Sequence, residues 1–303
     1  MADVDDVSVA PVDGDAAVDP PEDESVRAAE AQLIMEGLSR LERTLDDSGY
    51  AFTALDVVDR ALTSLVTLRS YPHLQFVNVS RNQIPDAAPL SELPYLVCAN
   101  LSENALVSAG TFTNAYLQSL DLSANQLTTL QGLTSATLSS LRVMGIVATT
   151  DNQLESLAGL TSLPSLTVLE AARNSIADLS SLSVEGASMR IEHLDLSENK
   201  LVSLAGIETL ATLSSLSVRQ NNLDSIDAVD ALAPLEHLSE LDLSLNPLVD
   251  CDNYRLSVII KLPSLKKLDA DLITDDERIA AVELKQQRLE AEAAAAAAAE
   301  EDA

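Results

Sequence analysis

Apolar and polar positions follow one recurring pattern along most of the chain, and residues 194–210, LDLSENKLVSLAGIETL, show it clearly. Apolar and polar residues alternate over 194–196, which predicts a short strand because successive side chains in a strand point to opposite faces. The spacing then changes to three residues, which predicts a 3-10 or helical return. The positions expected to face inward are Ile191, Leu194, Leu196, Leu201, Leu204, Ile207 and Leu210.

An asparagine, Asn199, lies where the two spacings meet. Its amide can bond the backbone groups that a tight bend leaves unpaired, so we expect it to be buried. The pattern L-x-x-L-x-L-x-x-N-x-L at this period is the leucine-rich repeat, and it predicts a right-handed leucine-rich-repeat solenoid of the α/β class. The asparagines expected to form one internal ladder are Asn82, Asn104, Asn125, Asn152, Asn174, Asn199, Asn221 and Asn246.

Two repeats depart from the pattern. In the first of about nine repeats Arg60 replaces the asparagine, as is common for terminal repeats. The interval from Asn125 to Asn152 is stretched to 27 residues, so we expect a bulge or loop around 134–146. The strand of that repeat is then predicted at Met144, Val147 and Thr149, and a second small loop is predicted at 184–188.

Composition and periodicity divide the chain into five segments. We expect a disordered acidic tail, a helix that covers the open first edge of the solenoid, the repeats, a C-terminal cap, and a long helix with a tail. The last helix is predicted to begin with a capping box of Thr274 and Glu277 and then to leave the body, either solvated or docked on a partner. Its apolar stripe is Ile279, Val282 and Leu289. The segments are residues 1–24, 25–49, 50–248, 249–273 and 274–303.

The formal net charge is −30, which excludes nucleic-acid binding because nothing here would neutralise phosphates. Cys98 and Cys251 are far apart in a solenoid, so we expect free thiols and a reducing compartment. The acidic N-terminus has no apolar core typical of a signal peptide. No apolar run is long enough to span a membrane.

No group of residues predicts catalysis. His193, Asp195 and Ser197 alternate on one strand, but neighbouring strand positions give neither a nucleophile elbow nor oxyanion donors. His73 and His237 lie far from His193, so the histidines suggest no metal site. We therefore expect no enzyme, no metal, no cofactor and no small-molecule substrate.

The predicted concave face of the sheet is the remaining candidate site. Its middle column, four residues before each asparagine, is predicted to include Ala148 and Ser217, to hold four acids and to hold no base. Such a one-sign wall favours a basic helix or segment as partner, although a merely solvated sheet face also needs polar residues. Phe76, Val97 and Cys98 make its N-terminal end more apolar. The candidate partner-binding residues are Phe76, Asn78, Asn100, Asp121, Glu170, Glu192, Asp195 and Asp242.

Several motifs outside the repeat consensus resemble one known family, the leucine-rich repeat-containing protein 23 family of the ciliary radial spoke. The similarity runs from about residue 33 to 292. The motifs are Glu36-Gly37-Leu38-Ser39, Leu68-Arg69-Ser70-Tyr71-Pro72-His73-Leu74, Asn152-Gln153-Leu154-Glu155-Ser156, Tyr254-Arg255, Glu277-Arg278 and Gln287-Arg288-Leu289.

This resemblance implies a non-catalytic structural subunit of a radial spoke, the third, in the axoneme of motile cilia or flagella. Its partners would be other spoke and axonemal proteins. The alternative is a regulatory subunit of a type-1 protein phosphatase or another intracellular leucine-rich-repeat adaptor, since those proteins share the repeat and the cap.

Overall fold

Twelve strands form one sheet whose spatial order is the order of the chain. The computed structural model describes residues 24–44, 49–145, 152–183 and 189–301. Strands β2 to β11 are parallel, and an antiparallel strand closes each end. The strands are β1 (Leu38–Arg43), β2 (Tyr50–Asp56), β3 (Phe76–Asn78), β4 (Cys98–Asn100), β5 (Ser119–Asp121), β6 (Ser140–Arg142), β7 (Val168–Glu170), β8 (His193–Asp195), β9 (Ser215–Ser217), β10 (Glu240–Asp242), β11 (Lys267–Leu268) and β12 (Asp271–Leu272).

In the described part of the chain, three α-helices and a series of 3-10 turns complete the solenoid predicted from the repeats. The 3-10 turns form the convex returns, as the spacing of three residues indicates. The helices are α1 (Glu24–Gly37), α2 (Tyr254–Lys261) and α3 (Asp275–Glu301). The turns are Val66–Ser70, Ala88–Glu92, Leu160–Ser162, Ser180–Leu182, Ile207–Thr209, Ile226–Leu232 and Pro247–Asp250.

The core is a stack of aliphatic layers, one per repeat. Every position that the pattern at 194–210 assigns to the interior is buried, and the inward residues of neighbouring repeats form one continuous cluster with them. Burying a Leu or Ile side chain contributes about 1.5–3 kcal/mol, so each layer supplies a large share of the stability.

The repeat asparagines lie in one buried row along this core. The Asn199 amide donates to the carbonyls of Leu196 (3.0 Å) and of Ala171 in the preceding repeat (3.1 Å). Its Oδ1 accepts from the backbone N–H of Ile176 (3.1 Å). Each asparagine of the row therefore hydrogen-bonds backbone groups of its own repeat and of the preceding repeat. The same bonds recur at Asn82, Asn104, Asn125, Asn174 and Asn221.

The bend itself needs a left-handed residue just before the asparagine. Glu198 has φ of 55°, and Asp59, which precedes Arg60, has φ of 56°. The first repeat thus makes the same bend without an asparagine. The N–H of Leu62 donates to Asn82 of the second repeat (2.9 Å), as at the other bends, and the N–H of Arg60 donates to the same side chain (3.1 Å).

The predicted helix over 25–49 is wrong in its second half. Helix α1 ends at Gly37, and β1 follows and pairs antiparallel with β2. Gly37 lies so close to the next strand end that a Cβ there would be 2.5 Å from the Asp56 carbonyl oxygen. The physical reason for β1 is that the first sheet edge has unpaired backbone groups, which a strand satisfies and a helix does not.

The strand position predicted for the stretched repeat, at Met144, Val147 and Thr149, is also wrong. Its strand is β6, at the centre of the predicted loop, because Leu138, Leu141 and Val143 fit the inward L-x-x-L-x-L template and are fully buried. The additional residues follow the strand, and residues 146–151, with Val147 and Thr149 of the predicted strand, lie outside the described part of the chain. Asn152 still joins the row through the Leu122 carbonyl (2.8 Å). The predicted loop at 184–188 and residues 1–23 of the predicted tail also lie outside the described residues.

The C-terminal end of the solenoid is closed by α2, β11, β12 and the first half of α3. Asp269 accepts from the N–H of Leu243 (2.8 Å) and from the Tyr254 hydroxyl (2.8 Å). Burial, followed by the charge of Asp269, raises the pKa of Tyr254, so its hydroxyl remains a donor. Within the described residues, no helix is both long enough and apolar enough to cross a bilayer.

Helix α3 does not leave the body at once, contrary to the prediction. Ala281 is buried, and Arg288 donates to the Ser257 hydroxyl of α2 (2.9 Å). The predicted stripe of Ile279, Val282 and Leu289 faces away from the body, with exposures of 58%, 68% and 54%. The helix packs on the body instead through residues that neighbour the stripe in sequence, such as Ala281 and Arg288.

Candidate functional site: the concave face of the sheet

The parallel register of β2 to β10 places one outward-facing residue of each strand in a continuous middle column. Each of the strands β3 to β10 contributes three residues with a buried centre, so the flanking residues face solvent on the concave side. The column is Asp56, Asn78, Asn100, Asp121, Arg142, Glu170, Asp195, Ser217 and Asp242.

A base in this column overturns the prediction of a column without one. Arg142 pairs in register with Asp121 and Glu170 because β6 lies at 140–142, whereas Ala148, the residue expected there, is outside the described residues. The Arg142 Nε donates to Glu170 Oε2 (2.6 Å). This hydrogen bond raises the pKa of Arg142, so the guanidinium stays charged in the centre of the face.

Further ion pairs connect neighbouring repeats, and two of them lie in the bends that follow the strands. Arg81 bonds Glu103 (3.1 Å) and Arg173 bonds Glu198 (3.0 Å). The Nζ of Lys267 lies 3.7 Å from Oε2 of Glu240, which joins β11 to β10. The prediction of a one-sign wall is therefore wrong at β6. The column as a whole remains acidic, because it holds five acids against the single Arg142, and a basic partner segment stays a prediction.

The column's acids also have a local structural role that the sequence analysis missed. Asp195 Oδ1 accepts from the backbone N–H of Ser197 (2.9 Å), which is an Asx turn at the strand end. Asn100 makes the same turn with Ser102 (2.9 Å), so an amide serves as well as a carboxylate. The D/N-x-S spacing in the sequence was the signal. The other turns of this kind are at Asn78, Asp121 and Asp242.

The N-terminal end of the concave face holds an open cavity of about 440 Å³. Phe76 lies in its floor, with the Arg40 guanidinium 4.9 Å from the ring centroid. Cys98 lies beside it, and burial raises the pKa of its thiol, which keeps it protonated. Asn78 donates to Asp56 (3.3 Å) at the cavity wall. This end can accept apolar side chains.

The remaining predicted site residues lie away from this cavity. Asp195 and Asp242 are in β8 and β10, and Glu192 precedes β8 on the exposed side. Ser197 bonds Asp195 (2.5 Å) and Ser217 (2.7 Å) through its hydroxyl, an arrangement that serves the turn. Within the described residues, no group of three or more His, Cys, Asp or Glu is placed to hold a metal ion.

Comparisons with known proteins agree with this architecture. A family model described as Leucine-rich repeat matches residues 187–298, and a second, Leucine Rich repeat, matches residues 113–130. The crystal structure of internalin C2 from Listeria monocytogenes is 20% identical, with a TM-score of 0.51, over 79% of this chain and 91% of that chain. That likeness concerns the fold alone.

Curated relatives share one description. Leucine-rich repeat-containing protein 23 of Bos taurus is 29% identical over 201 residues, which cover 54% of this chain and 59% of the relative. The Homo sapiens protein of the same description is 35% identical over 113 residues, covering 37% of this chain and 33% of that protein. The match thus spans less than two thirds of either relative. The chain is a leucine-rich-repeat protein, and over these regions it is similar to leucine-rich repeat-containing protein 23.

Proposed function

We propose that this chain is a non-catalytic structural and docking subunit of the radial spoke, the third one, in the axoneme of motile cilia and flagella. The observation that carries the proposal is the similarity to leucine-rich repeat-containing protein 23 over 201 residues. The fold is consistent with this role because stacked layers with an internal asparagine row form a rigid support for other proteins. The proposal places the protein in the cytoskeleton of the cilium.

The docking surface we propose is the N-terminal end of the concave face. Its cavity combines an apolar floor at Phe76 with polar walls at Asn78 and Asn100. Interfaces of this kind use a central aromatic anchor surrounded by polar contacts. The ion-paired centre of the face, around Arg142 and Glu170, offers fewer uncommitted groups.

Localisation tests the spoke assignment directly. A tagged full-length chain expressed in a flagellated cell that lacks its own copy should remain in the axoneme after detergent extraction and should restore motility. Immunogold labelling or a density map should then place the tag on the third spoke. Recovery of the whole pool in the soluble fraction would contradict the proposal.

A pair of substitutions tests the docking surface separately. Phe76→Ala removes the ring from the cavity floor, whereas the control Val202→Ala removes apolar carbons from an exposed position outside the concave face. With circular dichroism unchanged for both, Phe76→Ala should release the protein from extracted axonemes at lower salt than Val202→Ala does. Equal retention of the two variants would rule out this end of the face.

A further inference from the structure

The first two strands form a hairpin that is longer than the rest of the sheet is wide. β1 has six residues and β2 has seven, whereas each of the strands β3 to β10 has three. Residues 39–43 are all exposed, so both faces of this part of β1 are open to solvent. A two-stranded ribbon without a covering layer is only marginally stable in water. This part of the hairpin is therefore a candidate contact surface.

Exposed apolar side chains lie on one face of this hairpin. Leu41 and Phe52 pair in register, so they point to the same side. Phe52 lies two residues before Ala54, which pairs with Phe76, so this side continues the concave face. Leu41 is 61% exposed, Phe52 is 41% exposed, and Tyr50, two residues before Phe52, is 75% exposed. We call Leu41, Tyr50 and Phe52 the hairpin patch.

Strand β1 covers the first parallel strand, but its own outer edge is open. The N–H of Thr44 donates to the carbonyl of Gly49 (2.9 Å), which makes these two residues a hydrogen-bonded pair of the hairpin. Such pairs alternate with non-hydrogen-bonded pairs, so the backbone groups of Ser39 and Leu41 point away from β2. No described residue bonds them on that side. An open edge of this kind is a template for a further strand.

The charges along β1 select a second copy of β1 as that strand. Two β1 strands can pair antiparallel about a two-fold axis at Leu41, because the backbone groups of Leu41 face the open edge. Arg40 then lies opposite Glu42 of the second copy, and Glu42 lies opposite its Arg40, which favours the pair. Moving the axis by one residue would place Arg40 opposite Arg40 or Glu42 opposite Glu42, and like charges directly opposite are destabilising.

The existing contacts of Arg40 and Glu42 allow this pairing. The Arg40 guanidinium lies over the Phe76 ring, and Glu42 accepts from the Thr53 hydroxyl (3.1 Å). Both residues are exposed, so rotamer changes alone can turn their charged groups towards the second copy. Arg40 has φ of 56°, yet the register with β2 is the same on both sides of it, so the edge stays in phase.

The same axis joins the two hairpin patches and closes the assembly. Leu41 lies opposite Leu41 of the second copy, and Phe52 flanks it on each side, so one apolar row crosses four strands. The other edge strand, β12, has only two residues, Asp271 and Leu272. Pairing β1 with β12 would therefore offer few bonds and would extend into a fibre, whereas a two-fold pair of β1 strands is closed.

We propose that two copies of this chain associate through their β1 strands, which pair antiparallel about a two-fold axis at Leu41. Because a pair of short strands and one apolar row form a small interface, we expect a weak dimer with a dissociation constant in the micromolar range. The proposal does not depend on the proposed spoke function.

Sedimentation velocity of the full chain, from low micromolar to submillimolar concentration, tests the association. The wild type should change from one chain to two. Leu41→Glu places two carboxylates at the axis and should raise the dissociation constant at least about tenfold. Val107→Glu, at a similarly exposed position outside the hairpin (64%), is the control and should leave it unchanged. A wild type that stays monomeric, or equal association of the two variants, would overturn the proposal.

A charge exchange between two copies tests the register. Arg40→Glu places acid opposite acid, and Glu42→Arg places base opposite base, so each variant alone should be monomeric. In a mixture of the two, every acid lies opposite a base, and dimers of one copy of each should form. Native mass spectrometry with one variant labelled with heavy nitrogen identifies such mixed dimers, and circular dichroism checks that both variants fold. Dimers of either variant alone, or a mixture that stays monomeric, would overturn the axis at Leu41.

Discussion

At the scale of single residues, the asparagine row determines where each repeat bends. A buried amide can donate two hydrogen bonds to carbonyls and at the same time accept one from an N–H, which a hydroxyl with its single donor cannot do. Asn221 donates to the carbonyls of Leu196 (3.0 Å) and Val218 (2.9 Å), and it accepts from the N–H of Leu201 (3.0 Å). No aliphatic side chain of similar size can replace these bonds.

Asn221→Ala should therefore destabilise the protein, whereas its neighbour offers a matched control. Each buried backbone group left unpaired costs about 1–3 kcal/mol, so we expect a loss of about 3 kcal/mol in the free energy of unfolding. Asn222 is exposed, and Asn222→Ala should change it by less than about 0.5 kcal/mol. Urea denaturation followed by circular dichroism measures both. Similar losses for the two variants would contradict the role of the row.

The acids of the middle column can be tested without breaking their turns. Asp121, Asp195 and Asp242 accept from the N–H two residues later, as Asn78 and Asn100 do. Replacing the three acids by Asn should leave stability within about 1 kcal/mol, since exposed charges contribute little. Replacing them by Ala should cost about 1 kcal/mol at each site. Equal melting curves for the two triple variants would argue against the Asx turns.

At the scale of elements, both ends of the sheet are closed, but by different means. The first edge is covered by α1 and by β1, and the last by β12, α2 and α3. Helix α3 begins with the capping box predicted from the sequence: the N–H of Thr274 donates to Glu277 (2.8 Å) and the N–H of Glu277 donates to Thr274 (3.3 Å). Glu277 also bonds Arg255 of α2 (2.5 Å), so one side chain both starts the helix and docks it.

The docking of α3 should weaken as the pH falls into the acid range. The Arg255 hydrogen bond, with that of the Thr274 backbone, lowers the pKa of Glu277 from 4.5 to about 2. A depressed pKa stabilises the folded state above the unfolded value, so the contribution of Glu277 should be complete above about pH 5 and disappear between 4.5 and 2.

Hydrogen exchange of residues 254–261 measures this effect. The protection difference between the wild type and Glu277→Gln should be constant near neutral pH and vanish towards pH 2. Glu283→Gln, on the exposed side of the same helix, is the control and should show no such difference. A difference that persisted at pH 2 would mean that Glu277 acts through its size and not its charge.

At the scale of the whole molecule, the repeats form a one-dimensional stack in which each layer contacts only its neighbours. The aliphatic layers, the asparagine row and the strand-to-strand ion pairs all run along the same axis. A destabilising substitution in one layer should therefore lower the stability of the neighbouring layers most and that of distant layers least.

Leu196→Ala should show this spread. Truncating a fully buried Leu costs about 2–5 kcal/mol. Amide protection should fall most in the repeats around β7, β8 and β9 and least at β3 and β4, as measured by hydrogen exchange and mass spectrometry. Val202→Ala, at an exposed position in the same repeat, should leave protection unchanged. A uniform loss from end to end would indicate a single cooperative unit instead.

The local rules of the repeat could be read from the sequence. The L-x-x-L-x-L-x-x-N spacing predicted the layers and the row because the same few contacts decide both at every turn. The capping box at Thr274 was readable for the same reason. The D/N-x-S spacing of the Asx turns is equally local, but the polar residues of the column are interpreted from the sequence only as a docking surface or a solvated face.

The tertiary structure decided what depends on residues distant in the chain. Residues 38–43 continue a helical stripe, yet they form β1 because an open sheet edge lies beside them. In the stretched repeat two strand positions competed, and the fit of Leu141 between the neighbouring layers selected β6. That choice brought Arg142 into the concave column, where it pairs with Glu170. Periodicity determined the repeats because it is local, whereas edges, register and charge pairing were fixed only when the layers were stacked.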